Sequence, residues 1–154
     1  MKKYIYIFIF IFIPFLLLSC DYSPIYSKKN NYNFKIEKIE FNGDAEINNL
    51  IDKKLKKYTK KGSDKKFDIF ASSSYKKISQ SKNLSGKTTN YLITIETNFE
   101  IKKEDKIKTL IFKEEFLIKN FSNKFEENNF EKIKKENAID LVINKLVVQL
   151  SQMR

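Results

Sequence analysis

The fold is legible first in Tyr91-Leu92-Ile93-Thr94-Ile95-Glu96-Thr97-Asn98-Phe99-Glu100-Ile101. Side chains alternate along an extended chain, so Tyr91, Ile93, Ile95, Thr97, Phe99 and Ile101 share one side. Leu92, Thr94, Glu96, Asn98 and Glu100 take the other. One buried face and one wet face is the antiparallel-sheet pattern. Downstream, Lys102 to Lys106 turns the chain, and Leu110, Phe112, Phe116 and Ile118 form a returning strand, interrupted on that face by Glu114. Upstream, the polar run Ser79 to Thr89 contains Gly86 and reads as a hairpin connection with a long tip. A less regular strand, about Phe67 to Ile78, precedes it.

Further out lie two helices and one more strand. Phe34 and Ile36, then Ile39 and Phe41, alternate with a phase slip at Glu37-Lys38 that predicts a bulge or bend. Asn42-Gly43-Asp44 is a turn, and Asp44 is placed to cap the next helix. Ile47, Leu50, Ile51, Leu55 and Tyr58 keep helical spacing, and Lys53, Lys54, Lys56 and Lys57 crowd its end, where the helix dipole favours cations. The last element, about Glu131 to Gln152, carries Ile139, Val142, Ile143, Leu146, Leu150 and Met153 on one stripe. Before it, residues 120–129 are Asn-rich and read as irregular. Leu141 and Val148 fall off the stripe, as the margin of a core or as a surface covered by another chain. The element order is β-α-β-β-β-α. It predicts an α+β two-layer sandwich, with two helices packed on one face of a four-stranded, mostly antiparallel sheet.

The N-terminus has a separate logic. Met1-Lys2-Lys3 precedes an apolar run from Tyr4 to Leu18, then Ser19 and Cys20, the only cysteine. A charged start, a short apolar run and a small residue before the cut define an export signal. The run falls short of the roughly 20 residues that span a bilayer. Leu17-Leu18-Ser19-Cys20 resembles the bacterial lipobox, which makes Cys20 the lipidation site, because a thioether to diacylglycerol requires a thiol. The expected organisation is a removed signal peptide at 1–19, a lipidated tether at 20–33 and one domain at 34–154.

Removing the signal leaves 135 of 154 residues and lowers the net charge from +11 to +9, since Lys2 and Lys3 leave with it. Such a surplus favours anionic partners. An exported chain rarely meets nucleic acid, so phosphorylated lipid is the expected partner and nucleic acid is not. The chain contains no histidine, which removes Ser-His-Asp and Cys-His catalysis and the usual zinc ligands. Glu114 and Glu115 are neighbours on a strand and point opposite ways, and Glu126-Glu127 reads as a solvated surface pair. Neither pair is catalytic, and no enzyme activity, metal or cofactor is expected. Ser81 to Thr88 resembles a phosphate-binding loop, with Ser81 in place of the first glycine. It runs into a strand, whereas such a loop must open a helix.

Cys20-Asp21-Tyr22-Ser23-Pro24-Ile25-Tyr26 resembles the start of mature lipopolysaccharide-assembly lipoproteins, the LptE family, where Cys-Gly-aromatic-x-Pro-Leu-Tyr is common. The strand from Tyr91, the turn at 103–106, the Phe-bearing return strand and the terminal Leu146-Val147-Val148-Gln149-Leu150 also match that family's layout. The resemblance covers essentially the whole chain. It implies a non-catalytic plug in the lumen of a large outer-membrane β-barrel, LptD, which helps that barrel assemble and binds lipopolysaccharide in transit. It implies lipid anchoring on the periplasmic side of the outer membrane. Asp21 stands where the family usually has Gly, and in enteric-type sorting an Asp there retains a lipoprotein in the inner membrane. The alternative is a membrane-anchored periplasmic lipoprotein of another binding or scaffold class.

Two sets of residues are the expected contacts. Lys76, Lys77, Lys82 and Lys87, on or near the tip between the second and third strands, are candidates for lipopolysaccharide. The resemblance implies basic residues in this region, but the family's particular basic position near the tip corresponds to Leu84 here, so no single contact carries over. Lys102, Lys103 and Lys106 are the fallback. Leu141 and Val148 are the candidates for the barrel wall.

Overall fold

The computed structural model describes residues 33–59 and 63–153. The signal peptide, Cys20 and the tether up to residue 32 lie outside the described residues. The elements are β1 (Lys35–Gly43), α1 (Ala45–Leu55) with a 3-10 turn at Lys56–Tyr58, β2 (Lys66–Lys82), β3 (Thr88–Lys103), β4 (Lys106–Lys119) and α2 (Lys124–Gln152). Sheet order is β1-β2-β3-β4. β1 runs parallel to β2, with α1 as the crossover, and the other two pairings are antiparallel. The expected order and two-layer α+β class are those observed.

The sheet has one covered face, and it is the face read from the alternation in β3. Ile93, Ile95, Thr97, Phe99 and Ile101 are buried, with Tyr91 half-buried at the end of the row. Ile47, Ile51 and Leu55 of α1 and Ile139, Val142, Leu146 and Leu150 of α2 close over them. Phe34 stacks on Tyr58 at 5.6 Å and meets Phe67 edge-on at 6.0 Å, which seals the end where β1 begins. The phase slip at Glu37 is a bulge: Ile36 faces Phe67 and Lys38 already faces Asp68, so Glu37 is the extra residue.

Asp44 caps α1 as expected, accepting from the Ile47 N–H at 2.9 Å. Leu146 is fully buried, and Leu146→Ala is expected to cost about 2–5 kcal/mol. Urea unfolding measures this, and a loss below about 1 kcal/mol would place Leu146 outside the close-packed core.

Two expectations require correction. The terminal helix begins at Lys124, not near Glu131, because the Asn123 side chain accepts from the Phe125 N–H at 2.9 Å and Glu126 and Glu127 fill the first turn. A capped, acidic first turn outweighs the poor helix propensity of the Asn-rich run. The connection between β2 and β3 is also shorter than Ser79 to Thr89. β2 continues to Lys82 and β3 starts at Thr88. Hydroxyl pairs hold that extension, Ser79 with Thr88 at 2.9 Å and Ser81 with Thr89 at 2.8 Å.

Candidate functional site: a basic hairpin tip and an uncharged helix face

The β2–β3 tip is built around one side chain. Asn83 Oδ1 accepts from the Lys87 N–H (2.9 Å), the Ser85 N–H (3.1 Å) and the Ser85 hydroxyl (2.8 Å). Its N–H bonds the Lys87 carbonyl, and Gly86, at φ +77°, donates its N–H to the Asn83 carbonyl. This knot leaves Lys82, Leu84 and Lys87 exposed, Leu84 fully so. β1 starts opposite Lys66, the first residue of β2. The tip therefore lies at the other end of β2, whose 17 residues span roughly 55 Å.

Three of the four tip lysines expected from the sequence are solvent-exposed, two of them, Lys82 and Lys87, at the tip itself and Lys76 six residues earlier on β2. Among the described residues no ion pair engages Lys76, Lys82 or Lys87. Lys77 is separated from them by strand alternation and turns under α2. Its ammonium bonds Glu127 at 2.9 Å and Glu131 at 2.7 Å and lies 4.6 Å from the centre of the Tyr91 ring.

Lys77 belongs to a closed ionic cluster that pins the start of α2 to the sheet and to α1. Glu131 accepts from Lys77, from the Tyr75 hydroxyl at 2.6 Å and pairs with Lys135 at 3.0 Å. Lys135 is buried, also bonds Glu46 at 2.7 Å and lies over the Tyr75 ring. Glu127, 1% exposed, accepts from Lys77, Lys124 and the Phe121 N–H. Reading Glu126-Glu127 as a solvated pair is thus corrected, because the helix start turns Glu127 inward. Burial opposes the charge on Glu131, but the bonds from Lys77, Tyr75 and Lys135 outweigh it and hold the carboxyl at about 2. Burial likewise opposes the charge on Lys135, and Glu46 and Glu131 outweigh it and raise the ammonium. Every member has a partner of opposite charge, so the cluster is structural.

The fallback lysines sit in mixed company. Lys102 and Lys103 share a depression of about 300 Å³ with the acids Glu37, Asp64, Asp68 and Glu104. Among the described residues, the tip segment from Lys76 to Asn90 carries no acid. Glu114 and Glu115 do diverge, pairing with Lys145 and Lys113 respectively.

Leu141 and Val148 are both exposed, at 53% and 51%. They extend a stripe the sequence reading saw only in part. Phe130, Ile133, Asn137, Leu141, Asn144 and Val148 lie on one outward line of α2 at helical spacing. Its own positions are uncharged, in a chain that is 32% charged, and the Lys134 ammonium borders it, 5.3 Å from the centre of the Phe130 ring. The periodicity was there to find, but starting the helix at Glu131 cut off Phe130. Among the described residues no helix is long and apolar enough to cross a membrane.

No protein-family model and no curated protein matches the sequence. Solved structures do share its architecture, a layer of helices on one side of a small mixed sheet. Rare lipoprotein B from Shewanella oneidensis has a TM-score of 0.53 at 9% identity, over 73% of this chain and 95% of that one. A candidate lipoprotein from Caulobacter crescentus CB15 has a TM-score of 0.51 at 10% identity, over 75% of this chain and 87% of that one. At such identities the likeness is one of fold.

Proposed function

We propose that this protein is a non-catalytic lipoprotein of lipopolysaccharide assembly, anchored through Cys20 on the periplasmic side of the outer membrane. Its α2 face packs against the wall of an outer-membrane β-barrel of the LptD kind, and its tip offers lysines to lipopolysaccharide phosphates. The observation that carries the reading is the uncharged outer stripe of α2, on a domain whose core is already complete beneath that helix. The lipobox, the LptE-like order of elements and the fold shared with two chains described as lipoproteins support it.

Replacing Lys82 and Lys87 together with Gln tests the tip. Lysine–phosphate attraction at an exposed site is screened over about 8 Å at physiological ionic strength. Lipopolysaccharide binding by the wild type should weaken as salt rises, and the double variant should bind more weakly with a shallower salt slope. Unchanged affinity and slope, with the fold intact, would move the site to Lys102, Lys103 and Lys106.

A further inference from the structure

The helices cover one face of the sheet and leave the other open. On that open face Ile78 pairs with Leu92, and Leu92 with Leu117, so three apolar side chains form one row across β2, β3 and β4. Ile78 is 54% and Leu117 57% exposed. The row is about 10 Å wide. Cations flank it on both sides. Lys76 lies in the adjoining row, and Lys119, paired with Asn90, lies in the row beyond, with Lys82 further along toward the tip. The nearest acid, Glu115, is engaged by Lys113 at 2.8 Å and by the Thr94 hydroxyl at 3.2 Å. At the other end of the same face, Phe70 and Ile107 sit among charges of both signs, Glu40, Asp68 and Glu100 with Lys38 and Lys102, and Glu40 holds Lys38 in an ion pair. The tip end, by contrast, combines an apolar strip with Lys76, Lys82 and Lys119, none of which is in an ion pair among the described residues.

We propose that this row is an acyl-chain site. Fatty chains of lipopolysaccharide lie along Ile78, Leu92 and Leu117 while its phosphates engage Lys76, Lys82 and Lys119. The idea rests on the proposed function and names the part of the lipid that the sheet contacts. An anionic amphiphile fits because it alone presents both chemistries within about 10 Å, whereas a free phosphate would leave the apolar row in water.

The full chain in detergent is titrated with intact lipopolysaccharide, with deacylated but still phosphorylated lipopolysaccharide, and with phosphatidylglycerol vesicles. The wild type should bind the deacylated probe roughly ten-fold more weakly than the intact one. Ile78→Asn combined with Leu117→Asn should lower affinity for the intact probe by a similar factor and leave the deacylated probe unaffected. Both positions are more than half exposed, so an unchanged unfolding midpoint is expected and serves as the folding control. Equal binding of both lipopolysaccharide probes, with no effect of the double variant, would overturn the acyl site and leave the phosphate reading standing. Vesicle binding as tight as that of lipopolysaccharide, and lost in the variant, would overturn the choice of lipid. No binding of any probe by the wild type would overturn the proposed function itself.

Discussion

Gly43→Ala should destabilise the domain by about 3–5 kcal/mol and lower its melting temperature by roughly 10–20 °C. Gly43 ends β1 at φ +91°, a conformation that L side chains rarely adopt. A Cβ added there would collide with the Ser73 carbonyl oxygen, a backbone atom that cannot swing aside. That oxygen accepts from the Asp44 N–H, and Asp44 caps α1, so moving Ser73 aside disturbs both the β1–β2 edge and the start of the helix. Gly86→Ala separates strain from collision. Gly86 also has a positive φ, but nothing lies within 4 Å of its added Cβ, so only about 1–2 kcal/mol should be lost. Equal losses at the two positions in thermal unfolding would mean that Ser73 yields freely.

Glu131→Ala should cost about 3–5 kcal/mol, because it leaves buried Lys135 with Glu46 alone and removes the acceptor of the Tyr75 hydroxyl. The same residue sets an acid response. Its folded carboxyl titrates near 2, against about 4.5 in the unfolded chain. The stability it contributes is therefore complete above about pH 5 and is lost as pH falls toward 2. Glu127, whose carboxyl is also held low despite its burial, adds to the same trend. Urea unfolding of the wild type between pH 6 and pH 3 should show declining stability, and Glu131→Ala should decline less. Parallel pH profiles for the two proteins would show that Glu131 is not the residue being protonated.

The sheet was legible because β3 is wet on one side and dry on the other, so its alternation survives in the sequence. The same holds for α1, whose cap and apolar spacing agree with each other. The start of α2 was not read, although Asn123-Lys124-Phe125-Glu126 carries a capping signal, an Asn with an acid three residues on. The Asn-rich composition around it argued for a loop. The fate of Lys77 had no local signal at all, since Glu127 and Glu131 lie 50 and 54 residues away and only the docked helix brings them close. The apolar row on the open face was hidden for a similar reason. Ile78, Leu92 and Leu117 lie on three strands, and only the register aligns them.

Purifying the lipidated protein from its own envelope decides whether the outer face of α2 docks on an outer-membrane barrel, as proposed. The wild type should bring down a stable partner of barrel size. Leu141→Asn combined with Val148→Asn should lose that partner while unfolding at the same urea concentration as the wild type, since both side chains already face solvent in the isolated domain. Recovery of the barrel undiminished by the double variant, or no barrel with the wild type, would mean that α2 does not dock on a barrel.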